Sequence, residues 1–187
     1  HAMELALVNA AIAAGIRITV LDTCYLHAGP GAPLGADQTR FGDGSVEEWL
    51  ERWHALRDAL PDSPLVTMGA ALHSVRAVSP DEMATAMSGL PERVPIHIHV
   101  SEQLRENIEC LDAHGLTPTA ALERAGVLSE RTTVVHATHL TDDDIATIAD
   151  SNTIVSLCPT TEADLGDGIA RIKDLQEACL LYTSDAA

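Results

Sequence analysis

The sequence has few aromatic side chains, few basic residues, no paired cysteines and no long apolar run. Aromatic residues make up 3% of the 187 positions, so the core must be filled mainly by Ala, Val, Ile and Leu. Lys and Arg number 11 against 28 Asp and Glu, which gives a net charge of -17 at pH 7. A surface this negative repels phosphate backbones and anionic lipid heads, which argues against nucleic acid and membrane partners.

The four cysteines, Cys24, Cys110, Cys158 and Cys179, are widely spaced and form no Cys-x-x-Cys motif. This spacing argues against a zinc ribbon and a disulfide framework, and it indicates thiols that stay reduced in the cytoplasm. No apolar segment approaches the ~20 residues of a membrane-spanning helix. No basic-then-apolar signal segment opens the sequence. We therefore expect a cytoplasmic protein.

The sequence does contain a regular alternation of apolar strand patterns and amphipathic helix patterns. Strands joined by helical crossovers predict an α/β protein with a parallel sheet and right-handed connections. Two architectures fit, an open doubly wound sheet and part of a (β/α)8 TIM barrel, which as a whole needs ~250 residues. No repeat or low-complexity linker divides the chain. Five strands are predicted, near residues 15–21, 65–72, 95–100, 132–138 and 153–157.

Histidine is abundant, and many of the histidines lie where predicted strands end. In barrels the carboxyl ends of the strands carry the reactive side chains, so these imidazoles are expected to converge. A single strand-end histidine is commonly just a hydrogen-bonded polar residue, whereas several at one edge favour a metal or acid–base site. Five of the nine histidines are placed in this way, namely His73, His97, His99, His136 and His139.

His99 is the best candidate for a metal ligand, because a neutral imidazole binds a divalent metal and leaves positions open for water. Glu102 follows three residues later, within reach of such a water, and can move a proton. The alternative interpretation of Glu102 is a carboxylate that stabilises the start of the next helix. His136, on the next strand, is a candidate donor to charge that develops on the substrate.

His73 and Arg76 follow the preceding strand and stand three residues apart. A guanidinium grips a carboxylate with two hydrogen bonds, so Arg76 in so acidic a chain suits a substrate carboxylate. The alternative is a surface arginine that pairs with one of the many acidic side chains. His97 and His139 are assigned structural or supporting roles.

Longer motifs are more distinctive than single histidines, and they occur at residues 24–29, 72–76, 99–103, 135–141 and 158–168. These segments resemble the formimidoylglutamate deiminase family of the amidohydrolase superfamily. The His-x-x-Glu pattern is shared by many deaminases, whereas Thr-Glu-Ala-Asp-Leu-Gly-Asp-Gly with His-Ser-Val-Arg is much more specific. The resemblance implies a hydrolase that uses one divalent metal, zinc, to convert N-formimino-L-glutamate to N-formyl-L-glutamate and ammonia in histidine degradation.

The resemblance also implies a role for each candidate residue. His99 would be the metal ligand of barrel strand 5, Glu102 the proton shuttle, and His136 the catalytic histidine of strand 6. His73 and Arg76 would hold the glutamate end of the substrate.

By the same resemblance, the chain is expected to be an incomplete barrel of about strands 3 to 7, with strands 1, 2 and 8 missing. The family's other zinc ligands are a His-x-His pair on strand 1 and an aspartate on strand 8. We expect residues 1–178 to be an incomplete hydrolase domain, and residues 179–187 a non-native tail that is similar to translated sequencing-adaptor DNA. Asp185 stands near the place of the strand-8 aspartate but falls in this tail. With one zinc ligand, the chain by itself is expected to be inactive.

Two other functions stay open at this point. One is another deaminase or chlorohydrolase of the superfamily, acting on a nucleobase or a triazine, for which Arg76 need not clamp a carboxylate. The other is a non-catalytic open α/β binding domain whose histidines are structural. The sequence also leaves both a monomer and a homodimer open.

Overall fold

The structure is a computed structural model that describes residues 2–178 and the backbone of residues 182–184. Its strands are β1 (Ile18–Cys24), β2 (Val66–Leu72), β3 (Ile96–Val100), β4 (Thr132–His136), β5 (Ile154–Leu157) and β6 (Tyr182–Ser184). Its helices are α1 (Ala2–Ala14), α2 (Val46–Ala59), α3 (Pro80–Gly89), α4 (Leu104–His114), α5 (Pro118–Arg124), α6 (Asp142–Asp150), α7 (Pro159–Leu165) and α8 (Ile172–Glu177). A short 3₁₀ helix covers Thr39–Phe41. None of the described helices is both long and apolar enough to cross a membrane.

The strands form one sheet in the order β1-β2-β3-β4-β5-β6, and all pairings in it are parallel. Each described strand therefore pairs with its neighbours in sequence. A doubly wound sheet reverses its strand order at a switch point, whereas a (β/α)8 barrel adds successive strands in one direction. The parallel sheet is thus confirmed, and its order is that of part of a barrel.

Strand β3 shows how the sheet separates its core face from its other face. Ile96, Ile98 and Val100 are buried in the main apolar cluster together with residues of the surrounding helices. His97 and His99 are only partly buried. Because side chains alternate along a strand, both histidines lie on the face turned away from the helices. In a barrel this face lines the interior, and at the carboxyl end of the strand it lines the mouth.

The two tryptophans of α2 are buried, and each donates a hydrogen bond to a strand. Trp49 Nε1 donates to Asp22 Oδ1 of β1 at 2.9 Å, and Trp53 Nε1 donates to the carbonyl oxygen of Gly69 in β2 at 2.9 Å. Arg52 donates to the other oxygen of Asp22 at 2.6 Å. Burial raises the pKa of Asp22, and the charge of Arg52 opposes this shift. Helix α2 is therefore fixed across β1 and β2, and its tryptophans are packing residues.

The long segment between β1 and α2 is tied back to the sheet. Arg52 Nε donates to Asp43 Oδ1 at 3.0 Å, and the backbone N–H of Asp43 donates to the carbonyl of Tyr25 at 3.0 Å. Gln38 Nε2 donates to Tyr25 Oη at 2.8 Å. These contacts hold Tyr25 at the carboxyl end of β1, next to the strand-end histidines.

Three helices begin directly after a serine or threonine that caps them. Ser79, Thr117 and Thr141 precede α3, α5 and α6, and the side-chain oxygen of each accepts a hydrogen bond from the backbone N–H three residues later. Such caps satisfy N–H groups that have no partner within the helix. The caps therefore fix the residue at which each of these helices begins.

The structure adds elements after β5 that the sequence analysis does not predict. The short helices α7 and α8 follow β5, and Tyr182–Ser184 then pairs with β5 in parallel, with Tyr182 opposite Val155. This is the edge where strand 8 is expected to be missing. Residues 179–181 and 185–187, including Asp185, lie outside the described residues. The assignment of residues 179–187 to a non-native tail therefore stays a prediction.

Candidate active site

Three neighbouring strands bring the strand-end histidines together at one edge of the sheet. His73 directly follows β2, His99 lies in β3, and His136 ends β4. The ring centroids of His73 and His99 are 5.1 Å apart, and those of His99 and His136 are 5.4 Å apart. The fold thus gathers these three imidazoles into one cluster, while their chemical roles stay predictions.

His99 is arranged as metal-binding histidines usually are. Its Nδ1 lies 2.8 Å from the carbonyl oxygen of His73. A carbonyl can only accept, so Nδ1 carries the hydrogen and Nε2 keeps its lone pair. Burial lowers the pKa of His99, which favours the neutral ring that a metal ion requires. A histidine that ligates a metal typically donates its other N–H to such an acceptor.

Glu102 lies between the histidine cluster and Arg76. Its Oε1 is 3.4 Å from His136 Nε2, and its Oε2 accepts a hydrogen bond from Arg76 Nη2 at 3.3 Å. The side chain is 13% exposed. Helix α4 begins two residues later, at Leu104. The contacts with His136 and Arg76 show that the carboxylate of Glu102 is directed to the cluster rather than to the first turn of that helix.

Arg76 also contacts a second carboxylate, that of Glu106 in α4. Its Nε is 3.2 Å from Glu106 Oε2, and the Glu106 side chain is 0% exposed. Burial raises the pKa of Glu106 to about 7, although the charge of Arg76 opposes this shift. Arg76 therefore pairs with acidic groups, as its alternative interpretation expects, but these groups belong to the candidate site and the arginine is only 27% exposed.

The backbone around these side chains is in the left-handed region at three residues that are not glycine. Ser101 has φ 50°, His136 has φ 73° and Ala137 has φ 53°. Residues with a Cβ rarely adopt this conformation, and it commonly occurs where a site requires a particular side-chain direction. Glu106 supports the first of these turns, because its Oε1 accepts the N–H of Ser101 at 2.8 Å.

A third carboxylate of the site, that of the buried Glu162 in α7, contacts His136 from the side opposite to Glu102. Glu162 Oε1 lies 3.3 Å from His136 Nδ1 and accepts the backbone N–H of Cys158 at 3.0 Å. The imidazole of His136 thus has a carboxylate beside each ring nitrogen.

Among the described residues, one group of three side chains could hold a metal ion, with donor atoms within 4.8 Å of one another: His136, Cys158 and Glu162. His99 does not belong to this group. His99 is therefore not part of a complete ligand set among the described residues, and its role as a metal ligand stays a prediction.

Sequence reasoning did not single out Tyr25, Glu106 or Glu162 as site residues. The Tyr25 ring meets the edge of the His73 ring, with centroids 4.6 Å apart. A cavity of about 740 Å³ opens beside this pair, and its lining includes Tyr25, Gln38 and His73. Glu162 stands inside the distinctive run of residues 158–168, which is the signal that could have revealed it.

His97 and His139, which the sequence analysis assigns supporting roles, lie at the margin of the cluster. His139 Nε2 is 2.7 Å from the carbonyl oxygen of Asp167, and Asn107 Nδ2 donates to the carbonyl of His139 at 2.7 Å. His139 therefore links the loop after β4 to α4 and to the loop after α7. Burial lowers the pKa of His97.

This geometry agrees with comparisons against known proteins. The amidohydrolase family profile matches residues 3–187. The chain belongs to the amidohydrolase family. A curated relative, formimidoylglutamate deiminase from Pseudomonas aeruginosa, is 39% identical over 168 residues, which cover 89% of this chain and 37% of that protein. A 5-methylthioadenosine/S-adenosylhomocysteine deaminase from Nitratidesulfovibrio vulgaris is 29% identical over 172 residues, covering 91% of this chain and 36% of that protein.

Solved structures of amidohydrolases have the same arrangement of strands and helices. An amidohydrolase from Brucella melitensis superposes with a TM-score of 0.87 at 34% identity, over 95% of this chain and 39% of that one. An adenosine deaminase from Xanthomonas campestris, solved with bound zinc, gives a TM-score of 0.78 at 24% identity, over 95% and 38%. This second likeness shows the fold alone. The chain spans little more than a third of the length of the relatives that it matches.

Proposed function

We propose that this chain forms part of a metal-dependent deiminase that hydrolyses N-formimino-L-glutamate to N-formyl-L-glutamate and ammonia, a step of histidine degradation. The observation that carries this proposal is the contact of 3.3 Å between Arg76 Nη2 and Glu102 Oε2. It places a cation suited to a carboxylate beside a carboxylate suited to proton transfer. A substrate that joins an amidine to a carboxylate requires both groups at one site.

His99 would bind the metal through Nε2, because Nδ1 is engaged with the carbonyl of His73. Zinc is the proposed metal, since imidazole suits it and the Xanthomonas structure of the same fold contains it. When bound, a divalent metal would lower the pKa of water and supply a nucleophile near neutral pH. The proposal requires further ligands from residues other than the described ones.

Glu102 and His136 would move the protons. Glu102 would accept a proton from the attacking water and deliver it to the nitrogen that leaves as ammonia. His136 Nε2, 3.4 Å from Glu102 Oε1, would hold this proton in passage and donate a hydrogen bond to the charge that develops at the amidine. Both side chains are largely buried, and electrostatic contacts are stronger where water is excluded.

His73 and Arg76 would hold the glutamate end of the substrate. Glu102 and Glu106 engage Nη2 and Nε of Arg76, so the guanidinium is fixed in orientation and Nη1 would meet the substrate carboxylate. Burial lowers the pKa of His73 to about 4. His73 is therefore neutral near pH 7 and would contribute a hydrogen bond rather than a charge.

The comparisons support this substrate more than a nucleoside. The formimidoylglutamate deiminase is 39% identical to the chain, against 29% for the 5-methylthioadenosine/S-adenosylhomocysteine deaminase over a similar span. The acidic partners that orient Arg76 are also consistent with an arginine that binds a carboxylate. Of the two substrates in that relative's name, 5-methylthioadenosine has no carboxylate that would require this arrangement.

Activity is tested in a chimera in which this chain replaces the matching segment of the Pseudomonas enzyme. With zinc added, the chimera is expected to release ammonia from N-formimino-L-glutamate. The matched variant Glu102→Gln keeps the size of the side chain but cannot accept a proton, and we expect a loss of at least ~100-fold. The 187-residue chain alone is the control, and it is expected to be inactive.

The proposal fails if the chimera folds and binds zinc but leaves N-formimino-L-glutamate intact. Release of ammonia from 5-methylthioadenosine, which has no carboxylate, by the same preparation would then assign the chain to the other group of relatives. Circular dichroism and zinc analysis distinguish both results from a chimera that does not fold.

A further inference from the structure

Glu162 is a buried carboxylate with a specific partner and no role in the reaction outlined above. It is 3% exposed. It lies in the first turn of α7, 26 positions after His136 in sequence, and its Oε1 is 3.3 Å from His136 Nδ1. Burial of an ionisable group is costly unless the group is hydrogen-bonded, so its place in the site requires an explanation.

The position of the Glu162 carboxylate is fixed by the chain around it. Oε1 accepts the backbone N–H of Cys158 at 3.0 Å, and the backbone N–H of Glu162 donates to the carbonyl of Cys158 at 2.9 Å. These contacts close the first turn of α7 onto the end of β5. The two hydrogen bonds between Glu162 and Cys158 therefore hold the carboxylate in a fixed position next to the end of β4.

His136 needs such support, because its backbone is in the left-handed region at φ 73° and the next residue, Ala137, is there as well at φ 53°. This conformation directs the side chain away from the course of a regular strand. The ring then stacks beside His99, with centroids 5.4 Å apart, and presents Nε2 to Glu102. A half-turn of the ring about its Cβ–Cγ bond would put Cδ2 in the place of Nδ1 and Cε1 in the place of Nε2. The acceptor beside Nδ1 opposes that turn, because its hydrogen bond would be lost.

We propose that Glu162 is a positioning residue: it accepts the Nδ1 hydrogen of His136, fixes the orientation of the ring, and keeps Nε2 facing Glu102. This inference rests on the proposed function in assigning His136 a part in proton transfer. A carboxylate that holds an imidazole in one tautomer stabilises the ring when its other nitrogen takes up a proton. Glu162 would thus act only through His136, without touching the substrate.

The same atoms could instead serve a metal ion, because the donor atoms of His136, Cys158 and Glu162 lie within 4.8 Å of one another. The geometry favours the positioning role. Glu162 Oε1 already faces the Nδ1 of His136 and the N–H of Cys158, both at hydrogen-bond distance. Each of these contacts explains the position of the oxygen without an ion.

The test uses NMR of the 187-residue chain labelled at its histidine nitrogens, so it does not depend on activity. We expect a directly bonded hydrogen on His136 Nδ1 that exchanges slowly with water. In Glu162→Ala this hydrogen is expected to become fast-exchanging or to disappear, and Glu162→Asp is expected to restore it in part. Cys158→Ser is the matched control, since it keeps the backbone N–H and removes only the thiol.

Two results would overturn the inference. One is a His136 Nδ1 without hydrogen, or with a signal that Glu162→Ala leaves unchanged while circular dichroism shows that the variant folds. The other is Co²⁺ binding with a thiolate absorption band that Cys158→Ser abolishes, because the three side chains would then be metal ligands.

A second readout uses the active chimera and separates positioning from packing. Glu162→Ala is expected to lower kcat by about 10- to 100-fold, the usual effect of removing a carboxylate that orients a working histidine, with little change in KM. Glu162→Asp should recover part of the loss. Equal losses for both variants, or a change confined to KM, would contradict the positioning role. If the unaltered chimera is inactive, the proposed function fails. The NMR experiment still shows whether His136 Nδ1 donates a hydrogen bond to Glu162.

Discussion

The Nε of Arg76 lies 3.2 Å from Oε2 of Glu106, a carboxylate whose side chain is 0% exposed. The other oxygen of Glu106 accepts the N–H of Ser101 at 2.8 Å, in the left-handed turn that leads to Glu102. One buried side chain thus supports both the arginine and the turn that carries the carboxylate beside it. These two contacts explain why the carboxylate of Glu106 is buried beside the candidate site.

The substitution Glu106→Gln tests what this burial costs. Burial raises the pKa of Glu106 from 4.5 to about 7, so between these values the folded chain binds a proton that the unfolded chain has released. Stability therefore falls as pH rises through this window. Glutamine cannot ionise and still accepts the Ser101 N–H. We expect the free energies of unfolding of the two proteins to be close near pH 4.5 and the variant to gain progressively up to about pH 7.

Urea unfolding at several pH values, followed by circular dichroism, measures this difference. The conservative variant Glu109→Gln, on the same helix, is the control, because its side chain is 32% exposed and pairs with an exposed arginine. A stability difference between wild type and Glu106→Gln that does not change with pH would contradict the shift.

The parts of the site that are local in sequence could be predicted from it. The alternation of β3 places His97 and His99 on one face, and Glu102 follows after a fixed number of residues. The contacts of Glu106 with Arg76 and of Glu162 with His136 join residues far apart in sequence. No spacing rule predicts which acidic residue of a chain with 28 will meet a given partner. Only the register of β2, β3, β4 and β5 brings these pairs together.

For the fold as well, local features could be predicted from the sequence and the order of the strands could not. The parallel sheet could be predicted because apolar strand patterns alternate with helix patterns over most of the chain. The choice between a barrel and a doubly wound sheet depends on strand order, which local patterns do not encode. Helices α7 and α8 are seven and six residues long, too short for a helical periodicity to be recognised.

Gly69 tests the close packing of β1 against β2. A Cβ at this position would lie 2.7 Å from Leu21 Cδ2 and 3.2 Å from the carbonyl oxygen of Pro95. The backbone contact cannot move easily, so Gly69→Ala is expected to destabilise the fold by about 1–3 kcal/mol. Gly29→Ala is the matched control, because nothing lies within 4 Å of a Cβ there. Equal urea midpoints for the two variants would refute this account of the packing.

His99 and His97 provide a matched pair for the metal site. Both lie in β3 on the same face, but the Nδ1 of His99 is engaged with the carbonyl of His73 so that Nε2 is left for a ligand. In the chimera we expect His99→Ala to abolish stoichiometric zinc binding and His97→Ala to retain it. Zinc is measured by elemental analysis after dialysis. Retention of zinc by His99→Ala would remove His99 from the ligand set.

The substitution Arg76→Lys tests whether the substrate carries a carboxylate, as proposed. Lysine keeps the charge but has no planar fork, so Arg76→Lys is expected to lose a charge-assisted hydrogen bond of ~1.5–3 kcal/mol to the substrate carboxylate. That loss corresponds to a rise in KM for N-formimino-L-glutamate of roughly 10- to 100-fold. The effect should appear mainly in KM, because Arg76 is proposed to hold the end of the substrate that does not react. In the chimera, Arg105→Lys is the control, since this exposed arginine pairs with Glu109 on the outside of α4. An unchanged KM in Arg76→Lys would mean that the two carboxylates beside Arg76 are its complete function, and it would favour a substrate without a carboxylate.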